Sequence, residues 1–200
     1  MDLGHPSSSG ERVTFDFNYS AIRTQARRLN YTWWSKPYDL WLWGWRSGAP
    51  VGSDAWDDRI GVCYTDDSGA EHCLHWAATT DPGRAARAKD PAHIATLVPG
   101  HHRGIWRKGP HHYADPNTYQ CLIPTASAQI PVYRGDDFKT VHWDSQGIQL
   151  HHGSNAWRVG LYSAGCQVTQ APDAVARILE LLEMQAARGR GTTLSYALFV

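Results

Sequence analysis

Between Asp39 and Arg46 the chain reads Asp-Leu-Trp-Leu-Trp-Gly-Trp-Arg, so that Leu40 and Leu42 alternate against Trp41, Trp43 and Trp45. A period of two with large apolar residues on both phases predicts a strand covered on both faces. The rest of the chain offers partners for it. Residues 59–65 and 71–79 read as a hairpin around the turn signal Asp66-Asp67-Ser68-Gly69. Strands are also expected at 94–98, 103–107, 119–123, 130–134, 139–143, 147–152 and 192–200. Two stretches carry helical periodicity instead. One runs from Ser20, read as an N-cap, to Asn30 with Ile22, Ala26 and Leu29 on a stripe. The other runs from Pro172 to Arg188 with Val175, Ile178, Leu179, Leu182 and Ala186 in register, and Gly189 as its stop. Residues 80–118 are rich in Pro, Gly and His and read as loops around short strands. Many strands, two helices and no βαβ alternation predict a mainly β or α+β protein. A polar segment at 1–12 is expected to be flexible, and 13–200 to form one domain.

A chain of 200 residues can bury a core without disulfide staples. Lys+Arg and Asp+Glu both number 19, which gives no global attraction to nucleic acid or to an anionic membrane. No run of 18 apolar residues predicts a membrane span. The N-terminus lacks the basic start and apolar run of a secretory signal. The expectation is therefore a protein made in the cytoplasm, acting elsewhere only after release or export by another route. Ten tryptophans stand out, five of them in Trp33, Trp34, Trp41, Trp43 and Trp45. Such rings fill cores or stack on sugars and peptides, and core packing is favoured. Cys63 and Cys73 flank the hairpin turn. They are read as two small buried residues of a reducing compartment or as a cross-strand disulfide. Cys121, in Tyr-Gln-Cys-Leu-Ile, reads as buried filler.

Chemistry concentrates in two segments, Gly147-Ile-Gln-Leu-His-His-Gly-Ser-Asn155 and Val159-Gly-Leu-Tyr-Ser-Ala-Gly-Cys-Gln-Val168. A histidine ends a strand, a loop follows, and Ser-x-Gly-Cys arrives about 15 residues later. A thiol is a strong nucleophile only as thiolate and needs a base beside it. Histidine can take that proton and return it to a leaving amine. Glycine before the cysteine permits a tight turn, and the amides of Gly165 and Cys166 could then face a developing oxyanion.

This pattern resembles the catalytic domain of the L,D-transpeptidase (YkuD-like) family, whose signature is a histidine followed by Ser-x-Gly-Cys after a loop. Ser163-Ala164-Gly165-Cys166 stands at that motif. A phage- or prophage-type member is the closer resemblance. It covers most of the chain, through Tyr38–Arg46, Asp57–Gly61, Ala78–Gly83, Leu97–Gly100, Val132–Arg134 and Ser163–Val168. The resemblance implies a β-sandwich-like domain with one or two packed helices. It also implies a Cys166 acyl-enzyme on peptidoglycan stem peptides and no metal or organic cofactor. Two positions depart from the secreted members: Ala164 replaces a histidine or arginine, and Gln167 a hydrophobic residue.

Either His151 or His152 can be the base. In a regular strand they face opposite sides, so only one meets Cys166. The phage-type His-x-Gly pattern favours His151, while His152-Gly153-Ser154-Asn155 matches His-Gly-Thr-Asn. The same pattern puts His111 near the site. Arg134 is read as a clamp for a substrate carboxylate, or as a surface charge paired with Asp136 or Asp137. Histidine pairs at 101–102, 111–112 and 151–152 raise a metal site as an alternative, but adjacent residues on one strand do not converge on an ion. Hydrolysis of an L,D peptide bond, as in phage lysis or an antibacterial toxin, is favoured over transpeptidation. An inert wall-binding module using the tryptophans is the alternative of another class.

Overall fold

The computed structural model describes residues 15–48, 52–111 and 118–200. The N-terminal segment 1–12 expected to be flexible, and His112, lie outside the described residues. Helix α1 (Tyr19–Arg28) precedes β1 (Trp41–Trp45), β2 (Asp58–Thr65) and β3 (Glu71–Thr79). Then come α2 (Arg84–Lys89), β4 (Ala95–Leu97), β5 (Gly100–Pro110), β6 (Gln120–Pro124), β7 (Ile130–Arg134) and β8 (Asp137–Asp144). The chain ends through β9 (Leu150–His152), β10 (Gln167–Thr169), α3 (Pro172–Ala187) and β11 (Thr193–Phe199).

The mainly β, α+β expectation holds, but the architecture differs from a sandwich. Eight strands close on themselves in the order β1-β11-β5-β6-β9-β10-β3-β2, and β4-β7-β8 form a separate three-stranded sheet. Closure comes from the two ends of the chain. β11 lies parallel to β1, pairing Leu42 with Tyr196 and Trp45 with Phe199. Closing the ring removes the open edges that a sandwich would have to protect. There are three described helices rather than one or two. The added one, α2, is six residues long, too short to show a stripe. The N-cap of α1 is Asn18, whose side chain accepts from the Ala21 amide at 2.9 Å, rather than Ser20.

Alternation sorts β1 into two cores. Leu40 and Leu42 join Ile60, Val62, Leu122, Leu150 and the Val175-Ile178-Leu182 stripe of α3. Trp41 and Trp43 pack on the other side with Tyr19, Ile22 and Ala26 of α1. Both tryptophans are fully buried, and Trp33, Trp34 and Trp45 pack against the same cluster. Core packing, the favoured reading, describes Trp41 and Trp43, while Trp33, Trp34 and Trp45 keep part of their surface exposed. Cys63 and Cys73 face each other directly in the β2–β3 register, 4.2 Å apart at Cα, and are joined as a disulfide. That resolves the open choice in favour of the cross-strand bond. Cys121 is fully buried, as expected for filler. No helix among the described residues is long and apolar enough to cross a membrane.

Candidate active site

The spacing between histidine and cysteine has a structural reason. β10 runs parallel to β9, with Gln167 opposite Leu150, Val168 opposite His151 and Thr169 opposite His152. Parallel neighbours need a connection of about a dozen residues or more. The 153–166 loop supplies it and delivers Cys166 to the start of β10.

Register then separates the two histidines. Opposed residues share a face, as do residues two apart on one strand. Val168 therefore shares a face with His151, and Cys166 sits immediately before β10. His152 alternates to the other phase. Cys166, His151 and His152 nevertheless line one cleft of about 550 Å³, with Gly147, Gln149, Tyr119 and His111.

Their hydrogen bonds differ in kind. His151 is buried, and its Nδ1 lies 3.2 Å from the His152 carbonyl oxygen. A carbonyl only accepts, so this bond puts the proton on Nδ1 and the lone pair on Nε2. The Tyr119 hydroxyl stands 3.5 Å from the same Nδ1. His152 has the opposite arrangement. Its Nδ1 accepts from the Ser154 amide at 3.2 Å, and its ring stacks on Tyr119 at 4.0 Å. Burial lowers its pKa. His152 thus secures the turn after β9. His111 stacks on Tyr119 at 4.8 Å and lies 4.5 Å from the His151 ring, and its amide donates to the Tyr119 carbonyl at 2.9 Å.

The cysteine loop is pinned from several sides. The Gly83 amide donates to the Ser163 carbonyl and the Ala95 amide to the Ala164 carbonyl, both at 2.8 Å. Ser163 is fully buried, and its hydroxyl donates to the Cys166 carbonyl at 2.8 Å. Gly165 has φ of +144°, and a Cβ there would lie 2.5 Å from the Ala95 carbonyl oxygen. Only glycine fits. One expectation is corrected: the Gly165 amide donates to Ser163 Oγ at 3.2 Å, so it holds the loop instead of facing an oxyanion. Ala164 is exposed and lines the cleft.

Gln167 stands where the resemblance leads one to expect an apolar residue, and the fold gives its amide a role. It is fully buried, and its Oε1 accepts from the equally buried Tyr196 hydroxyl at 2.9 Å. Its Nε2 reaches the carbonyls of Thr80 and Gly165, each at 3.4 Å. The amide therefore ties the cysteine loop to the barrel interior.

Cys166 is half-buried, and its Sγ donates to the Gly147 carbonyl at 3.4 Å. Burial pushes its thiol up to about 11. A backbone hydrogen bond from Gln149 works against this, and the Asp144 carboxylate adds to it. Asp144 also explains Arg134. The guanidinium donates to Asp144 Oδ2 at 2.6 Å and to the His93 carbonyl at 3.1 Å. Neither Asp136 nor Asp137 is its ion-pair partner here, and Arg134 does not line the cleft. Asp144 Oδ1 accepts from the amides of Gln146 and Gly147 at 2.9 and 2.6 Å, which shapes the turn presenting Gly147 to the thiol.

Sequence reasoning missed Tyr119, Gln149, Leu161 and Tyr162 of the cleft. Tyr119 and Gln149 lie two residues from a cysteine or histidine already singled out, and the strand period could have found them. Among the described residues no three or more His, Cys, Asp or Glu side chains converge as metal ligands. No protein-family model, curated protein or solved structure matches this chain.

Proposed function

We propose that the chain is a cysteine enzyme with L,D-transpeptidase-like chemistry, with Cys166 as nucleophile and His151 as base, acting on peptidoglycan stem peptides. The observation that carries this reading is that Cys166 and His151 line one cleft, with His151 Nδ1 bonded to a backbone carbonyl. A thiol held up to about 11 is protonated at neutral pH, so its proton must leave as the sulfur attacks.

In the proposed reaction the His151 Nε2 lone pair takes the thiol proton as Sγ bonds to the carbonyl carbon of the L residue. The tetrahedral adduct collapses, the C–N bond breaks, and Nε2 returns the proton to the departing D-amino acid nitrogen. Water then attacks the thioester, gives a proton to Nε2, and releases the acid and the thiol. An amine in place of water would give transpeptidation. Hydrolysis is the preferred outcome, fitting a protein released onto the wall as in phage lysis or an antibacterial toxin. No cofactor enters this scheme.

The test is to incubate the protein with purified sacculi and with tetrapeptide muropeptides and follow the products by mass. Cleavage that disappears in Cys166→Ala and falls at least about a hundredfold in His151→Ala is expected. Full activity in Cys166→Ala, or no product with the wild type, refutes the reading. His152→Ala should act through the turn it secures and cost far less.

A further inference from the structure

A second cleft of about 550 Å³ lies outside the cysteine site. One wall is the start of β5 from Gly100 to Ile105; the other comes from Thr125 to Gln129, Pro131 of β7 and Trp143 of β8. Trp143 is 65% exposed, while Trp41 and Trp43 of β1 are buried. An indole held open on a strand presents a flat apolar face to a partner. Pro99, Ile105, Ala128 and Pro131 add further apolar surface, and, glycines apart, the remaining lining carries polar side chains. Ser127, Gln129 and Arg103 are exposed side chains able to donate and accept. Arg103 is the single formal charge among the described residues of the lining, because burial keeps His101 and His102 towards neutrality. β5 pairs with β11 from Gly100 onward but with β6 only from Trp106. The Gly104 and Ile105 carbonyls there accept from the Thr125 hydroxyl and amide, at 3.1 and 2.8 Å.

A ligand for such a groove is largely uncharged, flat and apolar on one face, and rich in hydroxyl and amide groups on its edge. We propose that this groove is a saccharide subsite that takes an N-acetylated pyranose, its ring on Trp143 and its acetamido and hydroxyl groups on the polar wall. The identity of that sugar as part of the glycan strand rests on the peptidoglycan reading above. The position suits it. Trp143 is followed at once by Asp144, and Gly147 four residues on lines the cysteine cleft. Four residues span at most about 14 Å, which bounds the separation that a substrate carrying both a sugar and a peptide stem has to bridge. The tight Asp144 turn fixes one relative to the other.

The experiment titrates tetra-N-acetylchitotetraose, which carries no stem peptide, into the full-length protein, reading tryptophan fluorescence and amide chemical shifts. Saturable binding is expected, weakened about tenfold in Trp143→Ala and several-fold in Gln129→Ala, with shifts confined to 100–105, 125–131 and 143. No saturable binding overturns the proposal. So does binding of unchanged affinity in both variants, or occupation of the groove by a sugar-free stem peptide instead. Turnover of that peptide by Cys166 is scored separately. Saccharide binding without turnover leaves the groove and removes the enzyme; turnover without saccharide binding does the reverse.

Discussion

Substituting Gln167 by leucine should unfold the protein more easily and loosen the cysteine loop, by an amount that can be worked from its contacts. The Tyr196 hydroxyl and Gln167 Oε1 meet at 2.9 Å with both residues fully sealed from water. Gln167→Leu leaves that hydroxyl buried without its acceptor, which costs about 1–3 kcal/mol. The two Nε2 bonds at 3.4 Å are long and add less. Thr80 keeps a donor, since Arg46 Nη2 also reaches its carbonyl at 2.9 Å. Tyr196→Phe leaves Gln167 Oε1 unpaired at a similar cost. Removing both partners leaves no orphan on either side, so the double variant should fall short of the sum by about 1–2 kcal/mol. Urea denaturation of the four proteins measures this cycle, provided the slope with denaturant is unchanged. Additivity within about 0.5 kcal/mol would refute the argument that this pair is satisfied only by each other. The single Gln167 variant should also expose Cys166 to a thiol reagent faster than wild type, because Gly165 loses its tether to the barrel.

Asp144→Asn should bring the Cys166 thiol down from about 11, because the carboxylate that disfavours the thiolate is gone; the pH profile of iodoacetamide labelling reads it, and an upward shift would contradict the geometry. Replacing Cys63 and Cys73 by alanine should cost about 3 kcal/mol, the loop-closure value for a sequence separation of 10, measured by denaturation against the oxidised protein. Asp81 is raised to about 6, mainly by burial and despite its contact with Arg46 at 3.0 Å. The folded state therefore binds that proton more tightly than the unfolded chain, whose carboxyl has the usual value of 3.8. The stability this provides is complete below pH 4 and is lost as pH rises through 6. Asp81→Asn should lack that loss, so the variant gains on wild type by up to about 3 kcal/mol between pH 4 and pH 7.

What the sequence disclosed follows the range of its signals. β1, the β2–β3 hairpin, β7 and α3 each carry a period over several residues, and each forms close to its expected bounds. β10 has three residues and α2 six, too few to repeat a pattern, so neither was visible. Ring closure depends on β1 meeting β11 across some 150 residues of chain, and no local periodicity encodes that pairing. The site divides in the same way. The Ser-x-Gly-Cys spacing singled out Cys166 as the candidate nucleophile, and strand alternation put His151 and His152 on opposite phases, although both line the same cleft. Choosing between them required the hydrogen bonds of each ring, which exist only once the barrel does. Gln167 is the sharpest case. A polar side chain after the cysteine looked like a departure because its partner, Tyr196, lies 29 residues away on the last strand. With Tyr196 in place, the amide becomes the link by which barrel closure at β11 reaches the Gly165 carbonyl, one residue from the thiol. The residue that most departs from the motif is thus the one that couples the fold to the candidate nucleophile.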